Sequence, residues 1–157
     1  MAKRFHVNLS VENIDASAAF YTTLFGAPPT VREPDYAKWM LDEPRVNFAI
    51  STHGTKPGID HLGIQVDEPA ELDALAAQLH AAGETTFDQA ATTCCYAKSD
   101  KHWVRDPQGV AWETFRTIEA ATTYGEPAPK LSVQAPCCAQ PALTAAKEPA
   151  PAACCTA

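Results

Sequence analysis

The chain has 157 residues, 46% of them hydrophobic, and a formal net charge of −7. This length suits one globular domain with an appended segment, and no run approaches the ~20 apolar residues that span a bilayer. An acidic chain without a basic stretch excludes nucleic acid as an expected partner. Residues 1–6 lead into a strand pattern without the apolar region of a signal peptide, which predicts a cytoplasmic protein that is not bound to a membrane.

An internal repeat organises residues 1–118. Residues 6–11, His-Val-Asn-Leu-Ser-Val, resemble residues 61–66, His-Leu-Gly-Ile-Gln-Val, at an offset of 55 positions. Apolar residues at helical spacing follow each copy, and Gly26 and Gly83 lie where the two helices should end. The predicted apolar stripes are Ala16, Ala19, Phe20, Leu24 and Phe25 in the first helix and Leu72, Leu75, Ala76 and Leu79 in the second.

Further strands are predicted after each helix. In the first half they cover 36–41 and 46–51; in the second half they cover 92–98, 103–105 and 110–117. Pro107 and Gly109 suit a type I turn at 106–109, before the last strand. The sequence thus predicts an α+β fold of two related modules, at about 1–55 and 56–118.

The composition changes after Ile118. Residues 119–157 are rich in Ala, Pro, Thr and Cys, and Tyr124 is their one aromatic residue. Such a segment cannot bury enough apolar surface to offset the entropy lost on ordering. We therefore expect residues 119–157 to form a flexible tail outside the folded domain.

Two histidines and one glutamate are candidate metal ligands. His6 and His61 occupy equivalent positions of the repeat, so a pseudo-twofold pairing of the modules would bring their imidazoles together. Glu113 is the one charge in residues 110–115, a run that otherwise looks buried on at least one face, where a carboxylate is costly unless paired or metal-bound. Two imidazoles and a carboxylate suit a divalent transition metal and resemble non-haem iron(II) oxygenase sites. The alternative is a pair of duplicated core histidines with a solvent-facing glutamate.

The six cysteines occur as adjacent pairs: Cys94-Cys95, Cys137-Cys138 and Cys154-Cys155. Adjacent cysteines cannot join distant segments by pairing with each other, and in a reducing cytosol they should be free dithiols, which are soft ligands. Consecutive side chains of a regular strand point to opposite faces. We therefore expect Cys94 and Cys95 to lie in a loop or an irregular strand end.

The dithiol of Cys94 and Cys95 matches one class of substrate. A methylated trivalent arsenical, CH3–As(OH)2, has two exchangeable hydroxyls, and two adjacent thiols can replace both. The alternative is that these cysteines behave as small buried hydrophobes.

Several motifs resemble the vicinal oxygen chelate superfamily, which includes glyoxalase I, extradiol dioxygenases, and fosfomycin- and bleomycin-resistance proteins. They are His6 with Val11, Ala19-Phe-Tyr-Thr-Thr-Leu-Phe-Gly26, His61 with Val66, and Asp106-Pro-Gln-Gly-Val-Ala-Trp-Glu113. The resemblance implies paired βαβββ modules and assigns His6, His61 and Glu113 as metal ligands. It does not select the reaction, because this fold supports many.

Within that superfamily, Thr93-Cys-Cys-Tyr96 followed by Asp100-Lys101 and Trp103 is similar to the organoarsenical carbon–arsenic lyases and to related cadmium-induced proteins. The resemblance implies an Fe(II)-dependent dioxygenase-type lyase that uses O2 to release arsenite from trivalent organoarsenicals, and so confers arsenic detoxification. It implies further that Cys94 and Cys95 bind the arsenic.

The sequence is also compatible with two other functions. A cadmium- or arsenite-binding protein could sequester the ion on thiolates without turnover, and the cysteines of the tail favour this reading. A glyoxalase- or fosfomycin-type enzyme would share the metal triad without needing Cys94-Cys95. The sequence also leaves open whether the metal site forms within one chain or across a homodimer.

Overall fold

The computed structural model describes residues 3–126 and residue 129. The first half consists of β1 (Arg4–Ser10), α1 (Ile14–Phe25), β2 (Val31–Glu33), β3 (Tyr36–Asp42) and β4 (Arg45–Ser51). The second half repeats this order with β5 (Gly58–Val66), α2 (Pro69–Ala81), β6 (Phe87–Cys94), β7 (Ala97–Arg105) and β8 (Ala111–Ala120). Within the described part, neither helix is long and apolar enough to cross a membrane.

All eight strands form one sheet in the order β2-β3-β4-β1-β5-β8-β7-β6. In each half the first strand pairs in parallel with the last, β1 with β4 and β5 with β8, and the two halves join where β1 pairs antiparallel with β5. The strand order of one half is therefore the mirror of the other about the β1–β5 junction. The predicted α+β fold of two βαβββ modules is confirmed.

The sheet has a helix-covered face and a face that carries the polar side chains. On β3, Ala37 and Trp39 pack into the core beneath α1, whereas the alternating Tyr36 and Lys38 line a cavity on the opposite face. The same alternation on β1 buries His6 and Asn8 on the cavity face. Strand periodicity thus separates the hydrophobic core from the candidate site.

The sheet curls until its two edges approach each other. The β2 and β6 strands are the edge strands, yet the hydroxyl of Tyr96, just after β6, donates to Asp35 Oδ1, just after β2, at 2.7 Å. Tyr36 and Tyr96 also pack with their ring centroids 5.8 Å apart. The cavity is therefore enclosed by strands from both modules.

The two helices begin and end as their capping residues require. Asn13 caps α1 by accepting a hydrogen bond from the Ala16 N–H at 2.9 Å, and Gly26 ends it in the left-handed conformation. A reciprocal capping box of Glu68 and Glu71 begins α2. The predicted ends of both helices are confirmed.

The predicted apolar stripe is confirmed for α2, whereas in α1 it is wrong except for Phe25. In α2, Leu72, Leu75 and Ala76 are buried and Leu79 is half-buried. In α1 the face toward the sheet consists instead of Ile14, Ala18, Tyr21 and Phe25. Apolar residues nearly encircle α1, so two stripes satisfy helical spacing, and packing on β3 and β4 selects one of them. Of the predicted stripe, Ala16, Ala19, Phe20 and Leu24 are exposed.

Two predicted boundaries also change. The strand predicted at 92–98 is a hairpin, in which β6 ends at Cys94 and β7 begins at Ala97. The structure continues past the expected boundary at Ile118, because β8 extends to Ala120 and residues 121–126 pack back against the 93–96 segment. The other residues of the expected tail, with Cys137, Cys138, Cys154 and Cys155, lie outside the described residues.

Candidate metal and dithiol site

The β1–β5 register brings the two repeat histidines together. His6 pairs with Gly63 and His61 pairs with Asn8, so the imidazoles are diagonal neighbours on one face of an antiparallel pair. Their Nε2 atoms lie 3.2 Å apart, and both residues are buried. The equivalence seen in the sequence therefore becomes a direct contact within one chain.

The neighbouring strand supplies the carboxylate. Glu113 on β8 pairs with Gly63 on β5, and its Oε2 lies 3.5 Å from His61 Nε2 and 3.7 Å from His6 Nε2. Gly63 permits this approach, because a Cβ there would collide with the Glu113 carbonyl oxygen. One donor atom from each of the three residues lies within 4.8 Å of the others.

Hydrogen bonds on the far side of each ring orient both imidazoles. His6 Nδ1 lies 2.9 Å from the Asn47 carbonyl oxygen, and His61 Nδ1 lies 2.7 Å from Asp60 Oδ2. With Nδ1 donating outward, the neutral form of each ring keeps the Nε2 lone pair free for a metal ion, as in metal-binding histidines.

The pKa values show what the three groups do when no metal is bound. Burial raises the pKa of Glu113, but the charges of Lys101, His61 and His6 bring it far below its ordinary value. Burial and the neighbouring His61 lower the pKa of His6 to about 4. Burial also lowers that of His61, but bonds to Asp60 and Glu113 dominate and raise its pKa to about 9. Without a metal, Glu113 is therefore ionised, His6 is neutral and His61 holds a proton that a metal ion would displace. The donor set of two imidazoles and a carboxylate suits a divalent transition metal.

Cys94 and Cys95 lie at the tip of the β6–β7 hairpin. Cys94 is the last residue of β6, and Cys95 and Tyr96 form the turn with φ of 58° and 59°. Two successive left-handed residues are the signature of a type I′ hairpin turn, which here places the two sulfurs 2.8 Å apart. The expectation of an irregular strand end is confirmed, and both thiols are free.

Two residues of the metal triad, His6 and Glu113, border one cavity together with the dithiol. Its lining includes His6, Glu113, Lys101, Cys94 and Cys95, and its volume is about 30 Å³. This volume holds little more than a water molecule. A ligand larger than this could enter only if the residues that line the cavity moved apart.

The cavity also contains polar groups for which no role was predicted from the sequence. Lys101 is 5% exposed, and its Nζ lies 2.5 Å from Glu113 Oε1. The buried side-chain oxygens of Asn8 and Asn47 have no hydrogen-bond partner. On β7, every second residue is buried, and Ser99, Lys101 and Trp103 belong to this buried face. The alternation could not be recognised in the sequence without knowing where the β6–β7 hairpin turns.

A C-terminal strap, residues 121–126, holds the hairpin tip. The Ala121 N–H donates to the Tyr96 carbonyl at 2.9 Å, and the Glu126 N–H donates to the Thr93 carbonyl at 3.0 Å. Tyr124 stacks on His53 with ring centroids 3.6 Å apart. His53 in turn contacts Asp35, the acceptor of the Tyr96 hydroxyl. The strap and the Asp35 contacts thus close the dithiol end of the cavity.

The remaining histidines have other partners. His53 contacts Asp35, His80 contacts Thr86, and His102 contacts Asp88. A larger cavity of about 290 Å³ lies near His102, between α2 and the β6–β7 hairpin. The metal triad and the thiols do not line it, so it is not the candidate site.

The sequence model of the Glyoxalase/Bleomycin resistance protein/Dioxygenase superfamily matches residues 3–114, and the chain belongs to this superfamily. Among its relatives, a trivalent organoarsenical cleaving enzyme from Bacillus sp. (strain MD1) is 41% identical over 128 residues, covering 78% of this chain and 80% of the relative. The cadmium-induced protein CadI from Mycobacterium tuberculosis (strain ATCC 25618 / H37Rv) is 34% identical over 123 residues, covering 78% and 81%. The family resemblance predicted from the sequence is confirmed.

Solved structures agree on the fold. Homoprotocatechuate 2,3-dioxygenase from Arthrobacter globiformis has a TM-score of 0.57 and 21% identity, covering 76% of this chain and 37% of that one. A Mn(II)-bound glyoxalase from Novosphingobium aromaticivorans has a TM-score of 0.55 and 20% identity, covering 82% and 44%. This chain thus corresponds to less than half of either protein.

Proposed function

We propose that this protein is an Fe(II)-dependent carbon–arsenic lyase that cleaves trivalent organoarsenicals with O2 and releases arsenite. The observation that carries the proposal is the shared cavity, in which Cys94 and Cys95 face His6 and Glu113. The relative from Bacillus sp. that is named a trivalent organoarsenical cleaving enzyme supports the same reaction class. A soft metalloid bound by the thiols would lie next to the metal ligands.

The dithiol provides substrate capture. Cys94 and Cys95 replace the two hydroxyls of CH3–As(OH)2, so two S–As bonds form and two water molecules leave. The hydrogen bond from Cys95 lowers the pKa of Cys94, with the Lys101 charge acting in the same direction, whereas that bond and burial raise the pKa of Cys95. Cys94 is therefore the thiol that attacks first, since the thiolate is the nucleophile.

His6, His61 and Glu113 would hold Fe(II), which when bound supplies the capacity to activate O2. Three protein ligands leave coordination positions open, and burial of the triad excludes bulk water. The overall reaction balances without a further reductant, because CH3–As(OH)2 and O2 have the same atoms as formaldehyde and As(OH)3. Aromatic trivalent arsenicals carry the same two exchangeable hydroxyls and are candidates for the same capture by the dithiol.

Aromatic side chains surround the reacting region. Phe115 packs edge-on against His6 with ring centroids 5.1 Å apart, and Trp103 packs against His61 at 5.0 Å. The indole N–H of Trp103 donates to Gln89 Oε1, which fixes the ring. These contacts hold both imidazoles in place, and Phe115 gives the cavity an apolar wall toward the organic substituent.

The decisive experiment is to load the protein anaerobically with Fe(II), add methylarsenite, admit air and measure arsenite. The wild type should release arsenite only with both Fe(II) and O2. The Cys94→Ala/Cys95→Ala and Glu113→Ala variants should not, whereas Cys137→Ala/Cys138→Ala serves as a matched dithiol control. Undiminished release by the Cys94→Ala/Cys95→Ala variant would overturn the dithiol role, and undiminished release by Glu113→Ala would overturn the metal triad.

Sequestration of Cd(II) or arsenite is the second candidate function. The free dithiol and the 34% identity to the cadmium-induced protein favour it. Tight Cd(II) binding without any oxygen-dependent product from several organoarsenicals would select this function over the lyase. A glyoxalase- or fosfomycin-type activity would instead keep its turnover in the Cys94→Ala/Cys95→Ala variant and contain Mn, Ni or Zn on metal analysis.

A further inference from the structure

Lys101 is a buried cation inside the cavity. It lies on β7 opposite Phe115 of β8, and its side chain shares the cavity face with Ser99. Its ammonium lies 5.7 Å from the ring centroid of Trp103 and 5.9 Å from that of Phe115. A lysine that is 5% exposed requires anionic partners, because burial of an unpaired ammonium is strongly unfavourable.

One anionic partner is Glu113, whose two oxygens are divided between two tasks. Oε1 lies 2.5 Å from Lys101 Nζ, whereas Oε2 is the oxygen that faces the imidazoles, at 3.5 Å from His61 Nε2 and 3.7 Å from His6 Nε2. A carboxylate whose second oxygen is held by an ammonium can offer only the first to a metal ion. Lys101 therefore restricts Glu113 to one donor atom.

The other partner is the dithiol. Lys101 lines the cavity together with Cys94 and Cys95, and both its charge and a hydrogen bond from it favour the thiolate form of Cys94. One ammonium thus pairs with a proposed metal ligand and lies in the same cavity as the proposed first nucleophile, and these two residues come from different strands.

We propose that Lys101 is a positioning residue that keeps Glu113 a monodentate ligand and holds Cys94 as a reactive thiol, so that one side chain joins the metal site to the arsenical site. The inference deepens the proposed function and rests on it. The competing role for Lys101 is only to neutralise the buried carboxylate of Glu113. Any other positive charge next to Glu113, including a bound metal ion, would then substitute for Lys101.

The metal arm of the test uses Co(II) as a spectroscopic probe in the full chain. We compare Lys101→Met and Lys101→Arg with Lys98→Met, a control on the same strand whose lysine pairs instead with the exposed Glu119. Freed from Lys101, Glu113 can chelate through both oxygens, so Lys101→Met should weaken and shift the visible Co(II) bands as the coordination number rises. Lys101→Arg and Lys98→Met should retain the wild-type spectrum.

The thiol arm uses metal-free protein and iodoacetamide, with alkylation of Cys94 quantified by peptide mass spectrometry. Lys101→Met should react about tenfold more slowly at pH 7, the effect of a one-unit rise in thiol pKa. Lys101→Arg should restore at least part of the rate, and Lys98→Met should match the wild type. Circular dichroism verifies that each variant is folded, and Lys101→Gln replaces Lys101→Met if the latter is not.

The outcomes distinguish a failure of the proposed metal site from a failure of the proposed role of Lys101. Absence of Co(II) binding by the wild type overturns the proposed metal site, and with it the metal half of the Lys101 role. Co(II) binding with identical spectra in the wild type and Lys101→Met overturns the Lys101 role alone. Unchanged Cys94 alkylation in Lys101→Met overturns its connection to the dithiol.

Discussion

Val7 and Leu62 face each other across the β1–β5 junction, and they are also equivalent positions of the 55-residue repeat. The pseudo-twofold axis of the molecule therefore passes between them. His6 and His61 are the residues immediately before each of the two, so the axis relates them and places them side by side. The symmetry of the duplicated chain is what converts two distant histidines into one site.

The same symmetry identifies Ala49 as the first-module counterpart of Glu113. Ala49 pairs with Asn8 as Glu113 pairs with Gly63, and Asn8 and Gly63 are equivalent in the repeat. In Ala49→Asp the added carboxylate should act as a fourth ligand. Without metal it is a buried uncompensated charge, which costs about 3–5 kcal/mol. The rise in Tm on adding Co(II) should therefore exceed that of the wild type, and turnover should fall because an open position is filled.

Ala49→Asn is the matched control, since it has the same size without the charge. Calorimetry with and without Co(II) provides the comparison. An equal metal-dependent rise in Tm for the Asp and Asn variants would contradict the assignment of this position.

Substitutions at two glycines should affect the metal site and the dithiol independently. A Cβ on Gly63 would meet the Glu113 carbonyl, and a Cβ on Gly125 would meet the Thr93 carbonyl. Gly63→Ala should weaken Co(II) binding and destabilise the protein by about 1–3 kcal/mol through overpacking. Gly125→Ala, at a φ of 77°, should loosen the strap and speed alkylation of Cys94.

Each glycine variant is the control for the other. Both variants are compared in Co(II) affinity by titration, in the rate of Cys94 alkylation, and in the free energy of unfolding by urea. If Gly63→Ala changes only thiol reactivity, or Gly125→Ala changes only Co(II) affinity, the spatial assignment of the two close contacts is wrong.

Metal binding should depend on pH through His61. Its pKa of about 9 in the metal-free protein lies above neutrality, so between pH 6.5 and 8 a metal must displace a proton from it. The apparent Co(II) affinity should therefore rise about tenfold per pH unit across this window. His6, with a pKa of about 4, is already neutral there and adds no dependence.

Calorimetric titration in buffers of different ionisation enthalpy measures the proton count directly. One proton should be released per Co(II) bound at pH 7. A flat affinity across the window, with no proton released, would show that His61 is not a ligand that exchanges its proton for the metal.

The Tyr96 hydroxyl should help to hold the dithiol hairpin closed. Tyr96→Phe removes its bond to Asp35 at 2.7 Å without changing the ring. We expect alkylation of Cys94 and Cys95 to accelerate about three- to tenfold, the scale of one lost hydrogen bond in an opening equilibrium. Tyr21→Phe, in the α1 core, is the control and should leave the rate unchanged; an unchanged rate in Tyr96→Phe would remove the closing role.

Sequence patterns were enough to predict most elements and to select the candidate ligand residues. The repeat of His6 and His61 at an offset of 55 positions, and the isolated charge of Glu113 in residues 110–115, are visible in the sequence alone. The buried face of α1 was not, because Phe20 and Leu24 satisfy helical spacing as well as Ile14 and Ala18 do. The expected flexibility from residue 119 onward overlooked backbone hydrogen bonds, which composition does not report and which hold residues 121–126 against the hairpin.

The sequence by itself determined the two-module α+β architecture, the three candidate ligands and the adjacency of Cys94 and Cys95, because each follows from residue type and short spacing. Only the tertiary structure decided that the dithiol shares one cavity with His6 and Glu113 and that Lys101 lines the same cavity. That arrangement depends on how far the eight-stranded sheet curls, which brings Tyr96 at one edge to Asp35 at the other. Curl is the cumulative result of twist and packing along every strand, and no short stretch of sequence contains it.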